Sequence, residues 1–466
     1  MPKAFFKKYD LRGQVGKDFQ INDIYGISRS IAHYFNQKDP NIKNIALAMD
    51  ARIHSKDIKD QVSNAFLDSG FDVTFLGICP TPTLNFACNT LNLDAGIMVT
   101  ASHNPKEDNG LKIIFHKESV WDENLQEIYQ LYKQNSYIKS TKRGNYKEYD
   151  IIKDYVDFLA DHFKDLKDFN INSIIDCGNG TAGTVLPQLF EKLNFQNTKL
   201  LFEEIDGTFP NHEPDPTVEK NLEILKKNLL SNEFEFGTGL DGDCDRFAVM
   251  SKAGNLIEGD KIIAIFSQFL SKKDKNNLVV VDIKCSNALT ELLEKFNLKT
   301  IMTPTGFAYI KDGMKKNNGI FGGELSGHYC FKDRYFGFDD GIYSMLRFYE
   351  IMKKSGKKLE YFLEQFPKRC SSREIRIKCD DKENIINSAK KFFATKSKIE
   401  INDIDGIRIQ TKRGWGILRA SNTQDLLSLR FEGNTKEDLL KIKKDFFDAI
   451  LPFFDEKLLK EQFDMN

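Results

Sequence analysis

Three aspartates alternate in the stretch Leu240-Asp241-Gly242-Asp243-Cys244-Asp245-Arg246. In extended chain alternate side chains share a face, so these carboxylates would crowd and repel unless a cation sat among them. A hard divalent ion with oxygen ligands relieves that repulsion, and Mg²⁺ suits the pattern because it is often held by few carboxylates plus a phosphate oxygen. A calcium hand is excluded by spacing, since loop position six needs glycine where Arg246 stands and position twelve needs glutamate where Lys252 stands. The competing reading is a solvated acidic turn.

A second polar loop, Val99-Thr100-Ala101-Ser102-His103-Asn104-Pro105, sets a hydroxyl beside an imidazole and an amide, with Lys112 in the next apolar-flanked segment. A hydroxyl with a proton acceptor and a cation close by can act as nucleophile or phosphate carrier, although a polar turn has the same composition. A third segment, Asp176-Cys177-Gly178-Asn179-Gly180-Thr181-Ala182-Gly183, carries the G-x-G-x-x-G spacing of a dinucleotide fingerprint, with Glu203 and Glu204 downstream. Alone it would suggest an NAD-dependent oxidoreductase; a tight strand-to-helix turn needs the same glycines. Gly237-Thr238-Gly239-Leu240-Asp241-Gly242 repeats the spacing but runs on into a strand and turn, which shows how cheaply the pattern arises.

Elements must position these loops. Strands expected at Ile45 to Met49, Val73 to Leu76 and Ala95 to Val99, with a helix at Ser55 to Asp68, form βαβ units of a largely parallel sheet. A second cycle follows Asp150, with strands at Ser173 to Ile175, Lys199 to Ile205 and Phe234 to Phe236. A third follows Gly259, with strands at Leu278 to Asp282, Thr300 to Met302 and Gly319 to Phe321. After about Pro367 strands crowd together at Arg373 to Ile377, Ile407 to Gln410, Trp415 to Arg419 and Leu426 to Phe431, the pattern of an α+β unit.

The chain has 466 residues, of which 41% are hydrophobic and 29% charged, ordinary values for a globular protein of several domains. Lys and Arg number 67 against 68 Asp and Glu, so no global field exists to gather nucleic acid or a membrane surface. No signal core or spanning segment stands out, and the 8 scattered cysteines include no C-x-x-C pair; a cytoplasmic address with reduced thiols is expected.

Two further segments, Gly322-Gly323-Glu324-Leu325-Ser326-Gly327-His328 and Gly414-Trp415-Gly416-Ile417-Leu418-Arg419-Ala420-Ser421-Asn422-Thr423 with Leu429-Arg430-Phe431-Glu432, join the two loops and the opening Tyr9-Asp10-Leu11-Arg12-Gly13. Together they resemble the α-D-phosphohexomutase superfamily, closest to its bacterial phosphomannomutase/phosphoglucomutase branch, over essentially the whole chain. The resemblance implies an α/β fold of four domains around a central cleft: three αβα mixed-sheet domains of related topology (1–149, 150–253 and 254–367) and a C-terminal α+β domain (368–466). It implies Ser102 as phosphoserine, with Asp241, Asp243, Asp245 and a Ser102 phosphate oxygen holding Mg²⁺. Glu324 and Ser326 would read sugar hydroxyls. Arg419, Ser421, Asn422, Thr423 and Arg430 would hold the non-reacting phosphate. Tyr9, Arg12, Lys112, Arg246, Lys284, Thr305 and Gly306 would surround phosphate and sugar, with Lys112 and His328 as candidates for proton transfer and His103 supporting the serine loop.

The implied reaction moves phosphate reversibly between O1 and O6 of mannose or glucose through a hexose 1,6-bisphosphate, with hexose phosphates as the small-molecule partners and a monomer as the working unit. A phosphoglucosamine mutase of the same superfamily is the alternative. Phe307 follows Thr305-Gly306 where relatives commonly have histidine, which bears on sugar preference, and Cys244 replaces a small residue in the metal loop with its side chain expected to point away from the acids.

Overall fold

The structure is a computed structural model that describes residues 2–91, 93, 95–270, 277–421 and 425–464. The chain forms two compact units, Met1–Ile262 with Ser326–Phe362, and Ile263–Leu325 with Leu363–Asn466.

In the first unit, the strands Ala95–Val99, Asn44–Met49, Asp72–Ile78 and Tyr146–Glu148 pair in parallel. Asp108–Phe115 and Leu11–Gln14 extend the sheet antiparallel beyond Ala95–Val99. Ala95–Val99 is buried along its whole length, as a central strand covered on both faces must be. Helix Ser55–Asp68 turns Ile58, Val62, Ala65 and Phe66 inward at helical spacing. Parallel pairing puts Asp50 and Thr100 at the C-terminal edge of adjacent strands, where α/β sheets gather ligands.

The second sheet of this unit runs Phe247–Ser251, Phe236–Leu240, Ser173–Asp176, Thr198–Leu201. Here the structure corrects the sequence reading. The strand feeding the acidic loop is Phe236–Leu240, beginning where the expected strand Phe234 to Phe236 ends. Glycine is a poor strand former by itself, but Cβ atoms at Gly237 and Gly239 would lie 2.9 Å from Leu225 and 2.8 Å from Pro216, so packing selects glycine there. Thr198–Leu201 also stops short of Ile205, because Phe202 takes φ 55°.

Helix Gly341–Ser355 gives no amphipathic stripe in the sequence, being buried on every side from Gly341 to Met352. Its Asp340 cap accepts the Tyr343 amide at 2.8 Å and the Tyr155 and Tyr335 hydroxyls at 2.7 and 2.8 Å. Midway along it, Arg347 forms a two-pronged pair with Asp333, both contacts 3.0 Å, and lies over the Phe331 ring.

The second unit holds three parallel strands in the order Lys299–Thr303, Leu278–Asp282, Phe321–Gly323. Its antiparallel sheet runs Cys370–Ser371, Leu426–Gly433, Gly414–Ala420, Ile407–Thr411, Glu400–Asn402, with Ile375–Lys378 also paired to Leu426–Gly433. Helices Lys382–Ala394 and Lys436–Ile450 cover one face through Ile377, Ile409, Leu418, Leu429, Phe431 and Phe446.

Removing one partner of a buried pair strands the other charge. Asp333→Ala is expected to lower stability by about 3 kcal/mol or more, whereas Lys153→Ala, which breaks the exposed Lys153–Asp157 pair, should leave stability nearly unchanged; thermal unfolding of the two variants side by side measures the difference.

Candidate active site

The serine loop follows strand Ala95–Val99, and Ser102 is held at φ 54°, a left-handed backbone rare for a residue with a side chain. Only 2% exposed, it places its Oγ 2.7 Å from Asp241 Oδ2 and 3.1 Å from His103 Nδ1. Its amide donates to Thr100 Oγ1 at 2.9 Å.

The acidic loop closes a hairpin between Phe236–Leu240 and Phe247–Ser251, so the three aspartates sit on a tight turn. The expected extended alternation is therefore replaced by a turn in which Cys244 has φ 60°, and its thiol lies 3.5 Å from the Thr181 hydroxyl. Asp241, Asp243 and Asp245 are all buried, and each offers a carboxylate oxygen within 4.8 Å of the others. Burial, with Asp245 and Asp243 beside it, pushes the Asp241 carboxyl well above the usual carboxylate range. Asp245 goes the other way: burial opposes its charge, but Lys112 and His328 outweigh that and lower it.

Lys112 stands on strand Asp108–Phe115 opposite Met98. Its ammonium meets Asp243 Oδ2 at 2.7 Å and also bonds Asp245. Burial disfavours that charge, yet Asp243 and Asp245 raise its pKa overall, so Lys112 stays a cation. Thr81, opening helix Thr81–Thr90, donates its amide to the Asp243 carbonyl at 2.9 Å and its hydroxyl to Oδ2 at 2.5 Å. Asp243 Oδ1 and Asp245 Oδ1 are buried without hydrogen-bond partners. Two orphaned anionic oxygens beside a carboxyl whose charge is suppressed fit a divalent cation.

Arg246 joins both histidines. Its Nε donates to His328 Nε2 at 3.1 Å and its terminal nitrogen to His103 Nε2 at 3.3 Å, while Asp215 lies 3.8 Å away. A guanidinium only donates, so each imidazole accepts through Nε2 and carries its proton on Nδ1. His103 therefore donates to Ser102 Oγ, and Ser102 donates to Asp241. Burial, Arg246 and Arg12 hold His103 well below the usual histidine range, so it remains neutral. His328 Nδ1 faces Asp339 at 3.0 Å. Burial opposes its protonation, but Asp245 and Asp339 prevail and raise its pKa. Arg12, paired with Gly110 across the sheet, reaches Asn104 at 3.1 Å and Asp10 at 2.5 Å, and Tyr9 lies half-buried just before its strand.

The first unit thus brings together Ser102, His103, Lys112, Arg12, the three aspartates, Arg246 and His328. Ser326 lies half-buried two residues before His328, with Gly327 at φ 92° between them. Sequence reasoning missed Arg52, Thr81 and Asp339 here. Arg52 had a readable signal, since Asp50-Ala51-Arg52 leaves the strand edge beside the serine loop; Asp339 lies in the stretch Phe331 to Gly341, which shares in the resemblance but by itself gives that carboxylate no role.

The second unit carries the remaining residues. Arg419, Arg430 and Lys284 are buried. Arg419 Nε donates to Asp405 Oδ2 at 2.7 Å, and the same oxygen accepts the Thr305 amide at 3.0 Å, so Asp405, also missed, ties strand Gly414–Ala420 to the Thr305-Gly306 turn. Arg430 donates to the Lys284 carbonyl at 2.6 Å. Lys284 Nζ lies 3.7 Å from Glu374, whose carboxyl is held down to about 2: burial works against its charge, but Lys284, the Ser428 hydroxyl and Arg376 outweigh it. Glu324 is buried, and burial together with Glu324 raises the Asp282 carboxyl, against the lowering effect of Lys284. Ser421 is half-buried, its amide donating to the Leu426 carbonyl at 2.9 Å; Asn422 and Thr423 lie outside the described residues.

The glycine fingerprint has a structural explanation. A Cβ at Gly180 would meet the Gly242 backbone at 2.7 Å, and one at Gly183 the Glu203 carbonyl at 1.9 Å. Thr181 donates its amide and hydroxyl to the Gly242 carbonyl at 2.9 and 3.0 Å. Gly180 thus lets the turn pack against the acidic loop, and Gly183 lets it pack against the backbone at Glu203.

Because Asp241 must lose its proton to join a metal shell, cation binding should release protons and tighten as pH rises through the titration of that raised carboxyl. Mg²⁺ calorimetry in buffers of different ionisation enthalpy reads the proton release. In the same experiment Asp243→Asn is expected to weaken binding by about tenfold or more.

Comparison with known proteins follows this geometry along the whole chain. Four models of phosphoglucomutase/phosphomannomutase match in order: alpha/beta/alpha domain I at residues 3–139, domain II at 153–254, domain III at 258–370 and the C-terminal domain at 374–449. The chain is 36% identical over 454 residues to a phosphomannomutase/phosphoglucomutase of Pseudomonas syringae, covering 96% of this chain and 95% of that protein. It is 35% identical to a phosphoglucomutase of Neisseria meningitidis serogroup A over 447 residues, 95% of this chain and 96% of that one. The crystal structure of a phosphoglucomutase/phosphomannomutase family protein from Burkholderia thailandensis superposes with a TM-score of 0.88 at 28% identity, over 96% of this chain and 97% of the other. With all four domain models matched in order and full-length relatives above 30% identity, the chain belongs to the phosphoglucomutase/phosphomannomutase family and has its four-domain α/β fold.

Proposed function

We propose that this isomerase shifts phosphate reversibly between O1 and O6 of mannose or glucose, with Ser102 as the phosphoryl carrier. The observation that carries the reading is the placement of Ser102 Oγ, buried and 2.7 Å from Asp241 at the edge of an acidic triad. From phosphorylated Ser102 the bond between phosphorus and Oγ breaks as one forms to a sugar hydroxyl oxygen, giving a hexose 1,6-bisphosphate. The hydroxyl's proton passes to His328 as Arg246 Nε lets go of Nε2, and over the whole step one proton returns to Ser102 Oγ, which regains its hydroxyl while His103 Nδ1–H faces it as a hydrogen-bond donor. Lys112, held as a cation by Asp243 and Asp245, supplies charge rather than a base, which narrows the choice of proton acceptor to His328. The bisphosphate then turns end for end, and its other phosphoryl group passes to Ser102.

Asp241, Asp243, Asp245 and a phosphoserine oxygen would hold Mg²⁺, which supplies positive charge against the phosphoryl oxygens. Arg12 and Arg246 add fixed positive charge. Glu324 and Ser326 are assigned to the sugar hydroxyls, and Arg419, Ser421, Asn422, Thr423 and Arg430, with Lys284, Thr305, Gly306 and Tyr9, to the phosphate that stays attached and to its sugar. The orientation of Arg419 by Asp405 supports this, since a guanidinium fixed through Nε is preorganised for bidentate phosphate binding. We propose further that the domains divide at 149/150, 253/254 and 367/368, and that the enzyme acts as a cytoplasmic monomer. Its eight cysteines, six of them buried, suit a reducing compartment.

A coupled assay with Mg²⁺ and catalytic hexose 1,6-bisphosphate should show turnover of mannose 1-phosphate or glucose 1-phosphate; turnover of neither overturns the proposal, and turnover of glucosamine 1-phosphate alone assigns the sister activity. Ser102→Ala should lower kcat by about a thousandfold or more, and acid-stable phosphate on the Ser102 peptide of the native enzyme identifies the carrier.

A further inference from the structure

We propose that Arg52 is a positioning residue for phosphoryl transfer, a single buried guanidinium that holds the serine loop in its reactive backbone conformation. The inference rests on Ser102 being the phosphoryl carrier. Arg52 follows strand Asn44–Met49 by three residues and is 2% exposed. One terminal nitrogen donates to the Ser102 carbonyl at 2.8 Å and the Asn104 carbonyl at 2.6 Å. The other donates to the carbonyls of Pro105 at 2.6 Å and Asp108 at 3.1 Å. These four acceptors lie on both shoulders of the loop, so the planar fork fixes its width and the direction of the Ser102 carbonyl.

Direction matters because Ser102 sits at φ 54°, a conformation that persists only where its surroundings over-determine it. Asp50 anchors the fork from behind: its Oδ2 lies 3.1 Å from Arg52 Nε, and its Oδ1 accepts the Arg52 amide at 3.0 Å and the Ser55 hydroxyl at 2.6 Å. Asn109 in turn donates to Ser55 at 3.0 Å, closing the network onto the strand that carries Lys112. On the far side, Gly207 bridges to Arg52 and the Phe209 ring lies 5.0 Å from the guanidinium carbon. Arg52 touches no group that reacts. It acts on the Ser102 hydroxyl through the Ser102 backbone, so it should govern how well the serine is aimed and leave substrate affinity nearly alone.

A lysine keeps the charge, but its single nitrogen cannot serve acceptors on both shoulders. Misplacing a reacting atom by about 1 Å can cost about a hundredfold in rate. Arg52→Met and Arg52→Lys are therefore expected to lower kcat by about ten- to a hundredfold with KM changed less than about threefold. Both should take up phosphate on Ser102 from hexose 1,6-bisphosphate more slowly than the native enzyme, by the same factor as kcat, and methylguanidinium should restore part of the rate in Arg52→Met. If Arg52→Met does not fold, Arg52→Lys decides by its kcat and KM. Native kcat and native Ser102 phosphorylation rates in a folded variant overturn the inference, as does a rise in KM without loss of kcat. Failure of the native enzyme itself to take phosphate on Ser102 overturns instead the carrier role on which the inference is built.

Discussion

Three carboxylates buried within 4.8 Å of one another cannot all hold their charge without compensation, and the first unit is organised around that constraint. The protein meets it in part with Lys112, which takes one oxygen each of Asp243 and Asp245, and with Thr81 at the start of a helix. The rest stays unmet in orphaned oxygens on Asp243 and Asp245 and a raised carboxyl on Asp241. That residue of unbalanced polarity is what a divalent cation and a phosphorylated serine can use, and the 2.7 Å contact from Ser102 to Asp241 puts the hydroxyl within it.

Keeping the serine loop against the acidic loop is a matter of backbone approach. A Cβ at Gly242 would stand 2.7 Å from the Ser102 carbonyl oxygen, the same oxygen that Arg52 grips. Gly180 presses on Gly242 from the next turn with equal closeness. Three polypeptide segments are thus stacked through glycines, and the motif that reads as a nucleotide fingerprint is there to make this stack possible. Such packing leaves little freedom for Ser102 Oγ, which is what transfer between fixed donor and acceptor oxygens requires.

The second unit handles charge differently. Arg408 is wrapped by the carbonyls of Ile283 and Cys285 and lies 4.0 Å above the Trp415 ring, and burial lowers its pKa to about 10. It supports the sheet on which Arg419 and Arg430 stand, while Asp405 sets Arg419 by its Nε. The near-zero net charge of the chain therefore coexists with buried cations concentrated where anionic ligands are expected.

The sequence by itself determined the βα order of the elements, the helix Ser55–Asp68 and the strands Ala95–Val99 and Leu278–Asp282 to the residue, because apolar periodicity and buried runs are local signals. It also marked the chemistry-bearing loops, since Ser102, the three aspartates and Arg419 to Thr423 stand in short polar segments between apolar ones. Tertiary structure alone decided what those residues do to one another. The alternating aspartates suggested an extended strand, but they sit on a turn whose shape is set by a hairpin and by Thr181 beneath Cys244. Strand Phe236–Leu240 was hidden by glycines that only the packing of Leu225 and Pro216 explains. What Arg52, Asp339 and Asp405 do is not legible locally, because Arg52 grips the serine loop 50 residues on, Asp339 meets His328 11 residues back and Asp405 meets Arg419 14 residues on, and such pairings exist only once the chain has folded.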